Sequence, residues 1–225
     1  MNRIIKFLLV GAVMLGTAFN AVSQTKKVSI IGDSYSTFAG YNPEGYRPFY
    51  PDSKNDAVEV EQMWWSLYIK AMGYELEKNN SWGGTTICNT GYARMDVSRS
   101  SFLSRIDMLG DPDIIFVFGG TNDAWAGSPV GEYKWEDWTA EDCKYFRPAY
   151  ACLLDGLQKK YPKAKIYSIL NSELREEINE SSREVCKHYG VTNIVLKDIE
   201  KTDGHPTYKG MQSICEQVYE VVRGK

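Results

Sequence analysis

Histidine is scarce in this chain. There are two in 225 residues, and neither belongs to a His-Glu-x-x-His pair, so a histidine-built catalytic zinc site has no ligand set. The chain also lacks a Gly-x-Ser-x-Gly elbow, a P-loop and a Gly-x-Gly-x-x-Gly fingerprint. Those absences exclude the common α/β-hydrolase pattern and leave nucleotide cofactors no motif to sit on. Basic residues do not predominate: 26 Lys and Arg stand against 29 Asp and Glu, for a net charge of −3. A mildly acidic chain offers no electrostatic footprint for nucleic acid. No segment after residue 23 is apolar over the ~20 residues that a membrane span needs. Internal repeats and low-complexity stretches are missing too. Cysteine is sparse, and no Cys-x-x-Cys pair occurs among Cys88, Cys143, Cys152, Cys186 and Cys215. The odd count leaves at least one thiol unpaired within the chain. Mostly buried thiols are expected, and Cys186 with Cys215, both on late helices, is the first pairing to check.

The amino terminus has the three parts of a secretory signal peptide. Arg3 and Lys6 give a short basic start, residues 7–19 are mostly apolar, and Ala21-Val22-Ser23 supplies small residues before a cut. The expected organisation is a signal peptide over residues 1–23 and a single domain over 24–225. The expected location is the periplasm or the exterior, with no stable membrane anchor after cleavage.

Beyond residue 24 the pattern alternates. Strands are expected at 27–31, 74–80, 114–118, 165–170 and 193–196. The run Ile-Ile-Phe-Val-Phe at 114–118 reads as a strand buried on both faces. Helices are expected at 62–72, 139–161, 172–189 and 206–222. Thr139 and Asp142 form a capping-box-like start, Pro148 is placed to kink the helix that follows, Gly190 stops the next one, and Pro206 opens the last. Strands alternating with helices imply an α/β fold with a parallel sheet covered on both faces. Ligands in such sheets bind beyond the carboxyl ends of the strands. Ser34 lies just past the first strand, Asn79-Asn80-Ser81-Trp82-Gly83-Gly84 at and beyond the end of the second, and Gly119–Asp123 past the third.

A serine in the Gly32-Asp33-Ser34 turn is either an ordinary turn residue or a nucleophile. A nucleophile needs a base to take its proton. His188 sits at the carboxyl end of a helix, where a cation is favoured by the helix dipole, and capping suits it better. His205, in Thr-Asp-Gly-His-Pro, follows the last strand and opens at the ligand-binding edge. An oxyanion also needs donors. Gly83-Gly84 can offer a backbone N–H unobstructed by a side chain, and Asn122 can offer an amide. Each also has an ordinary reading, as a turn or a cap, but all of them fall on one edge.

In this order the blocks resemble the SGNH (GDSL-type) hydrolase family. Gly32-Asp33-Ser34 is similar to its first block, Ser81–Thr86 to its second, Gly120-Thr121-Asn122-Asp123 to its third and His205-Pro206 to its last. The resemblance implies a three-layer α/β/α fold of flavodoxin-like type with a central parallel five-stranded sheet. It implies Ser34 as nucleophile and His205 as base, with Gly84, the Ser34 N–H and Asn122 forming the oxyanion hole, and neither cofactor nor metal. One position departs from the family. An aspartate usually stands three residues before the histidine, and here that residue is Thr202. Asp203, two residues before, is the candidate acid; a backbone carbonyl orienting His205 is the alternative.

The loops around these blocks are rich in aromatic residues: Tyr35, Phe38, Tyr41, Tyr46, Phe49 and Tyr50 in one, and Trp125, Trp135 and Trp138 in another. Flat rings with polar edges suit sugars as well as acyl groups. The expected activity is hydrolysis of small acyl esters on carbohydrates through an acyl-enzyme. The alternatives are a lysophospholipase or thioesterase of the same family, or a carbohydrate-binding protein without catalysis. The expected partner is a small-molecule or carbohydrate ester.

Overall fold

Five apolar runs become the five strands of one sheet. The computed structural model describes residues 25–224, and the expected signal peptide lies outside them. Strands β1 (Lys27–Gly32), β2 (Glu75–Ser81), β3 (Ile114–Phe118), β4 (Lys165–Leu170) and β5 (Thr192–Val195) are all parallel, in the order β2-β1-β3-β4-β5. The chain therefore starts in the middle, moves to one edge, and returns across β1. That reversal between β1 and β3 is where a doubly wound sheet opens a crevice at its carboxyl edge.

Alternate residues of each strand enter two separate cores. Ile31, Ile115, Val117 and Ile166 join one, and Val28, Ile30, Phe116, Phe118 and Tyr167 join the other. Helices α1 (Trp64–Met72) and α5 (Tyr208–Arg223) cover the second core. Helices α3 (Phe146–Lys160) and α4 (Glu176–His188) cover the first. The short α2 (Thr121–Trp125) leads directly off β3. A two-stranded hairpin, β6 (Lys201–Thr202) with β7 (His205–Pro206), precedes α5.

Several boundaries differ from the expectation, each for a local reason. Thr139 and Asp142 do cap reciprocally, with Asp142 N donating to Thr139 Oγ1 at 3.2 Å and Thr139 N to Asp142 Oδ2 at 2.8 Å. What they cap is one 3₁₀ turn, Asp142–Lys144; Tyr145 is extended, and α3 starts only at Phe146. Pro148 falls in the first turn of α3, where no N–H is required, so it kinks nothing. Pro206 belongs to the hairpin, and Thr207 caps α5 by accepting from Gly210 N at 3.1 Å. Helix α4 begins at Glu176, four residues later than expected.

The Cys186–Cys215 pairing is contradicted. Cys186 belongs to the core under α3 and α4, Cys215 packs against the opposite core, and the sheet lies between them. All five cysteines are free thiols. The two thiols in contact are Cys143 and Cys152.

Candidate active site

The turn that carries Ser34 is built by its neighbours. Asp33 caps a 3₁₀ turn, Ser34–Ser36, with its carboxylate accepting from Tyr35 N at 3.0 Å. Below that turn Ser36 is held on three sides: Trp64 Nε1 reaches its hydroxyl at 3.0 Å, and Trp65 Nε1 and Asn79 Nδ2 reach its carbonyl at 3.0 and 2.8 Å. Ser34 is left at the floor of a cavity of about 330 Å³, 6% exposed.

His205 meets it from the other side. The β6–β7 hairpin turns through Asp203 (φ +48°) and Gly204 (φ +78°). Asp-Gly in a two-residue loop is the sequence that such a left-handed turn favours. Three side chains then hold the hairpin backbone from the Ser34 side. Tyr35 Oη donates to Gly204 O at 2.5 Å, Tyr50 Oη to Pro206 O at 2.7 Å, and Asn55 Nδ2 to the same Pro206 carbonyl at 3.1 Å. The result is a Ser34 Oγ to His205 Nε2 distance of 2.9 Å.

The other ring nitrogen does not meet a carboxylate. His205 Nδ1 faces the main-chain carbonyl of Asp203 at 3.2 Å. Asp203 stands at the turn tip, is exposed, and makes no hydrogen bond to the ring through its side chain. Its backbone thus occupies the place for which its carboxylate is the sequence candidate. A second restraint lies on the ring face, where Phe49 stacks on the imidazole at 3.5 Å between centroids and 6° between planes.

Burial lowers the His205 pKa from the ordinary histidine value, and the Asp203 carbonyl and the Asp52 and Asp203 charges oppose it only in part. A general base works in its neutral form. The acid limb of kcat/KM is therefore expected at a pH below the usual histidine value of 6.5. A pH profile of the parent and of Asp33→Asn checks this. The same limb in both assigns it to the histidine, and a limb centred above pH 7 contradicts the assignment.

Three donors surround Ser34 Oγ without partners of their own. The Gly83 N–H is already used, donating to Arg47 O at 2.8 Å, whereas the Gly84 and Ser34 N–H groups make no hydrogen bond to any described residue. Gly84 takes φ +82°, a conformation that suits glycine. Asn122 is 2% exposed and its amide nitrogen has no hydrogen-bond partner. That amide faces the Asp33 carboxylate, which it helps to keep ionised.

Tyr92, which the sequence reading does not single out, fixes which way the amide points: its hydroxyl donates to Asn122 Oδ1 at 2.8 Å. The adjoining Ala93 and Arg94 both hold positive φ, +53° and +60°, so the backbone is strained beside this contact. Asp123 ties the block below to the glycine loop by accepting from Ile87 N at 2.8 Å and Cys88 N at 3.1 Å.

The supporting layer is charged and buried. Burial raises Asp33 to about 7 and Asp123 to about 6, against an ordinary 3.8. Arg105, 1% exposed, lies beneath them, brought down by burial to about 10. Its guanidinium donates to Gly32 O at 3.1 Å, Asn80 O at 2.6 Å and Thr85 Oγ1 at 2.9 Å. One side chain therefore joins the ends of β1 and β2 to the glycine loop. Nothing in its local sequence, Leu-Ser-Arg-Ile, marks it for that role.

The aromatic loops divide. Tyr35 and Tyr50 are buried and serve the hairpin, and Tyr46 stacks on Trp82 at 4.2 Å. Of the three downstream tryptophans, Trp125 lines the cavity. Trp135 stacks on His188 at the end of α4, outside the cavity lining.

Residues 26–222 match the model of the GDSL-like lipase/acylhydrolase family. Among curated proteins none matches significantly. Among solved structures, the chain is 52% identical to a candidate GDSL-like lipase from Bacteroides ovatus, covering 89% of this chain and 99% of that one with a TM-score of 0.88. It is 51% identical to a second from Bacteroides uniformis, covering 89% and 97% with a TM-score of 0.88. A family two carbohydrate esterase from Clostridium thermocellum shares the fold at 16% identity, covering 89% and 64% with a TM-score of 0.62.

Proposed function

Since the chain belongs to the GDSL-like lipase/acylhydrolase family, we propose that it hydrolyses carboxylic esters through an acyl-enzyme on Ser34. The observation that carries this reading is the 2.9 Å contact of Ser34 Oγ with His205 Nε2, beside three unpaired donors. Ser34 Oγ attacks the ester carbonyl while Nε2 takes its proton. The developing oxyanion meets the N–H groups of Ser34 and Gly84 and the amide of Asn122. The protonated Nε2 then gives its proton to the leaving alcohol. Water attacks the acyl-enzyme by the same steps in reverse, releasing the acid. Because the Asp203 carbonyl accepts from Nδ1–H, it selects the tautomer that leaves Nε2 free as a base. The Phe49 ring holds the imidazole plane, and its π face is compatible with the imidazolium that forms. The site works as a serine–histidine dyad.

The substrate we propose is a small acyl ester on a carbohydrate, met outside the cytoplasm after removal of residues 1–23. A small cavity with a polar floor and Trp125 at its wall supports a short acyl group and a sugar ring. The fold is also that of a carbohydrate esterase from Clostridium thermocellum. The p-nitrophenyl ester series tests the acyl side. The kcat/KM for acetate is expected to exceed that for octanoate by at least about tenfold, given about 0.8 kcal/mol per methylene excluded from favourable burial. Preference for octanoate would move the reading to a lipase-like activity.

A further inference from the structure

We propose that the cavity over Ser34 selects esters carrying a carboxylate, and that the Arg47 guanidinium is the group that binds it. This deepens the esterase reading above and rests on it. The segment 46–49 spans the site from the glycine loop to the histidine. Tyr46 stacks on Trp82 at 4.2 Å and 13°. Arg47 O accepts from Gly83 N at 2.8 Å, and a Cβ at Gly83 would itself stand 2.8 Å from that carbonyl, so the approach needs glycine. Phe49 N donates to Thr37 Oγ1 at 2.8 Å, and its ring lies on His205. The backbone of Arg47 is thereby tied on both sides to the groups that do the chemistry.

The Arg47 side chain itself is exposed and lines the cavity with Ser34 and Gly84. It makes no hydrogen bond, ion pair or ring contact with any described residue. Arg105, Arg147 and Arg175, by contrast, all spend their guanidinium groups on protein acceptors. The cavity lining holds one carboxylate, Asp52. It accepts from Lys54 N at 2.9 Å, and its charge acts on His205, which places it at the histidine side. Arg47 is anchored at the Gly83 side. An unpaired planar guanidinium fixed at one end of a polar cavity presents a fork that fits a carboxylate in two-point contact. For a carbohydrate substrate, that chemistry is an O-acylated sugar acid.

The test compares 4-acetoxybenzoate with 4-acetoxybenzamide, which share the acetyl group and differ in one charge. The same pair is run on the parent, Arg47→Gln and Arg47→Lys, with thermal melting to establish that each variant is folded. In the parent the kcat/KM ratio of benzoate to benzamide is expected to exceed tenfold at low salt and to shrink as salt screens the pair. It should fall to near one in Arg47→Gln, mainly through KM, and to an intermediate value in Arg47→Lys. A parent ratio near one, with both esters hydrolysed, overturns the inference and leaves the esterase reading standing. A high ratio that survives in Arg47→Gln overturns the assignment to Arg47. Hydrolysis of neither ester by protein whose Ser34 reacts with a fluorophosphonate also counts against it. If Ser34 does not react at all, the esterase reading fails and takes the inference with it.

Discussion

His205→Ala is expected to lower kcat by roughly 10⁴- to 10⁶-fold, while Asp203→Asn leaves it within about threefold of the parent. The contrast separates two roles that sit two residues apart. Nε2 is 2.9 Å from Ser34 Oγ and is the base, so its removal leaves the hydroxyl at its own weak reactivity. Asp203 contributes its main-chain carbonyl, at 3.2 Å from Nδ1, and the Asn variant keeps that carbonyl. Asparagine also tolerates the left-handed turn that Asp203 adopts at φ +48°. In a triad with an aspartate on Nδ1, the same Asp-to-Asn change costs about 10⁴ in kcat through the wrong tautomer. Steady-state kinetics on the two variants decides the matter. A loss of orders of magnitude in Asp203→Asn would restore the carboxylate to the mechanism.

Asn122→Ala is expected to lower kcat by about 10²- to 10³-fold with little change in KM, the cost of one oxyanion donor. Asn122 suits this role because its amide nitrogen is buried without a partner, which is costly unless a substrate atom satisfies it in the reaction. Tyr92→Phe tests the same donor indirectly. Without the 2.8 Å contact at Oδ1, the amide is free to flip its oxygen toward the site. A smaller loss is expected, about tenfold in kcat with KM nearly unchanged, on the scale of one ordinary hydrogen bond. Equal losses in kcat and affinity would instead mean that Tyr92 binds substrate.

Much of this arrangement is legible along the chain, because it depends on short-range pattern. The five strands are apolar runs closed by Gly or Pro, as in Ile114–Phe118, and alternation with helices places three loops on one edge. Ser34, Gly84, Asn122 and His205 stand out because each follows a strand in a recognisable block. What is not legible depends on contacts across long separations. Arg105 reaches Gly32 from 73 positions away, and Tyr92 reaches Asn122 from 30. Nothing in their local sequence requires those partners. The turn at Asp203-Gly204 did carry a signal, the Asp-Gly pair of a two-residue hairpin. Its strands are two residues each, too short to show alternation, so the aspartate reads as a side chain when its backbone matters more.

The aromatic loop is misread for a related reason. Tyr35 and Tyr50 look like a sugar-facing surface, yet their rings are buried and their hydroxyls need acceptors, which the hairpin carbonyls supply.

The central claim is that Ser34 is an activated nucleophile. Treating the purified protein with a fluorophosphonate probe and mapping the adduct by peptide mass spectrometry tests it without knowledge of the substrate. The account predicts one adduct, on Ser34, absent in Ser34→Ala and formed far more slowly in His205→Ala. A folded protein that takes up no probe, or takes it up on another residue, would contradict it.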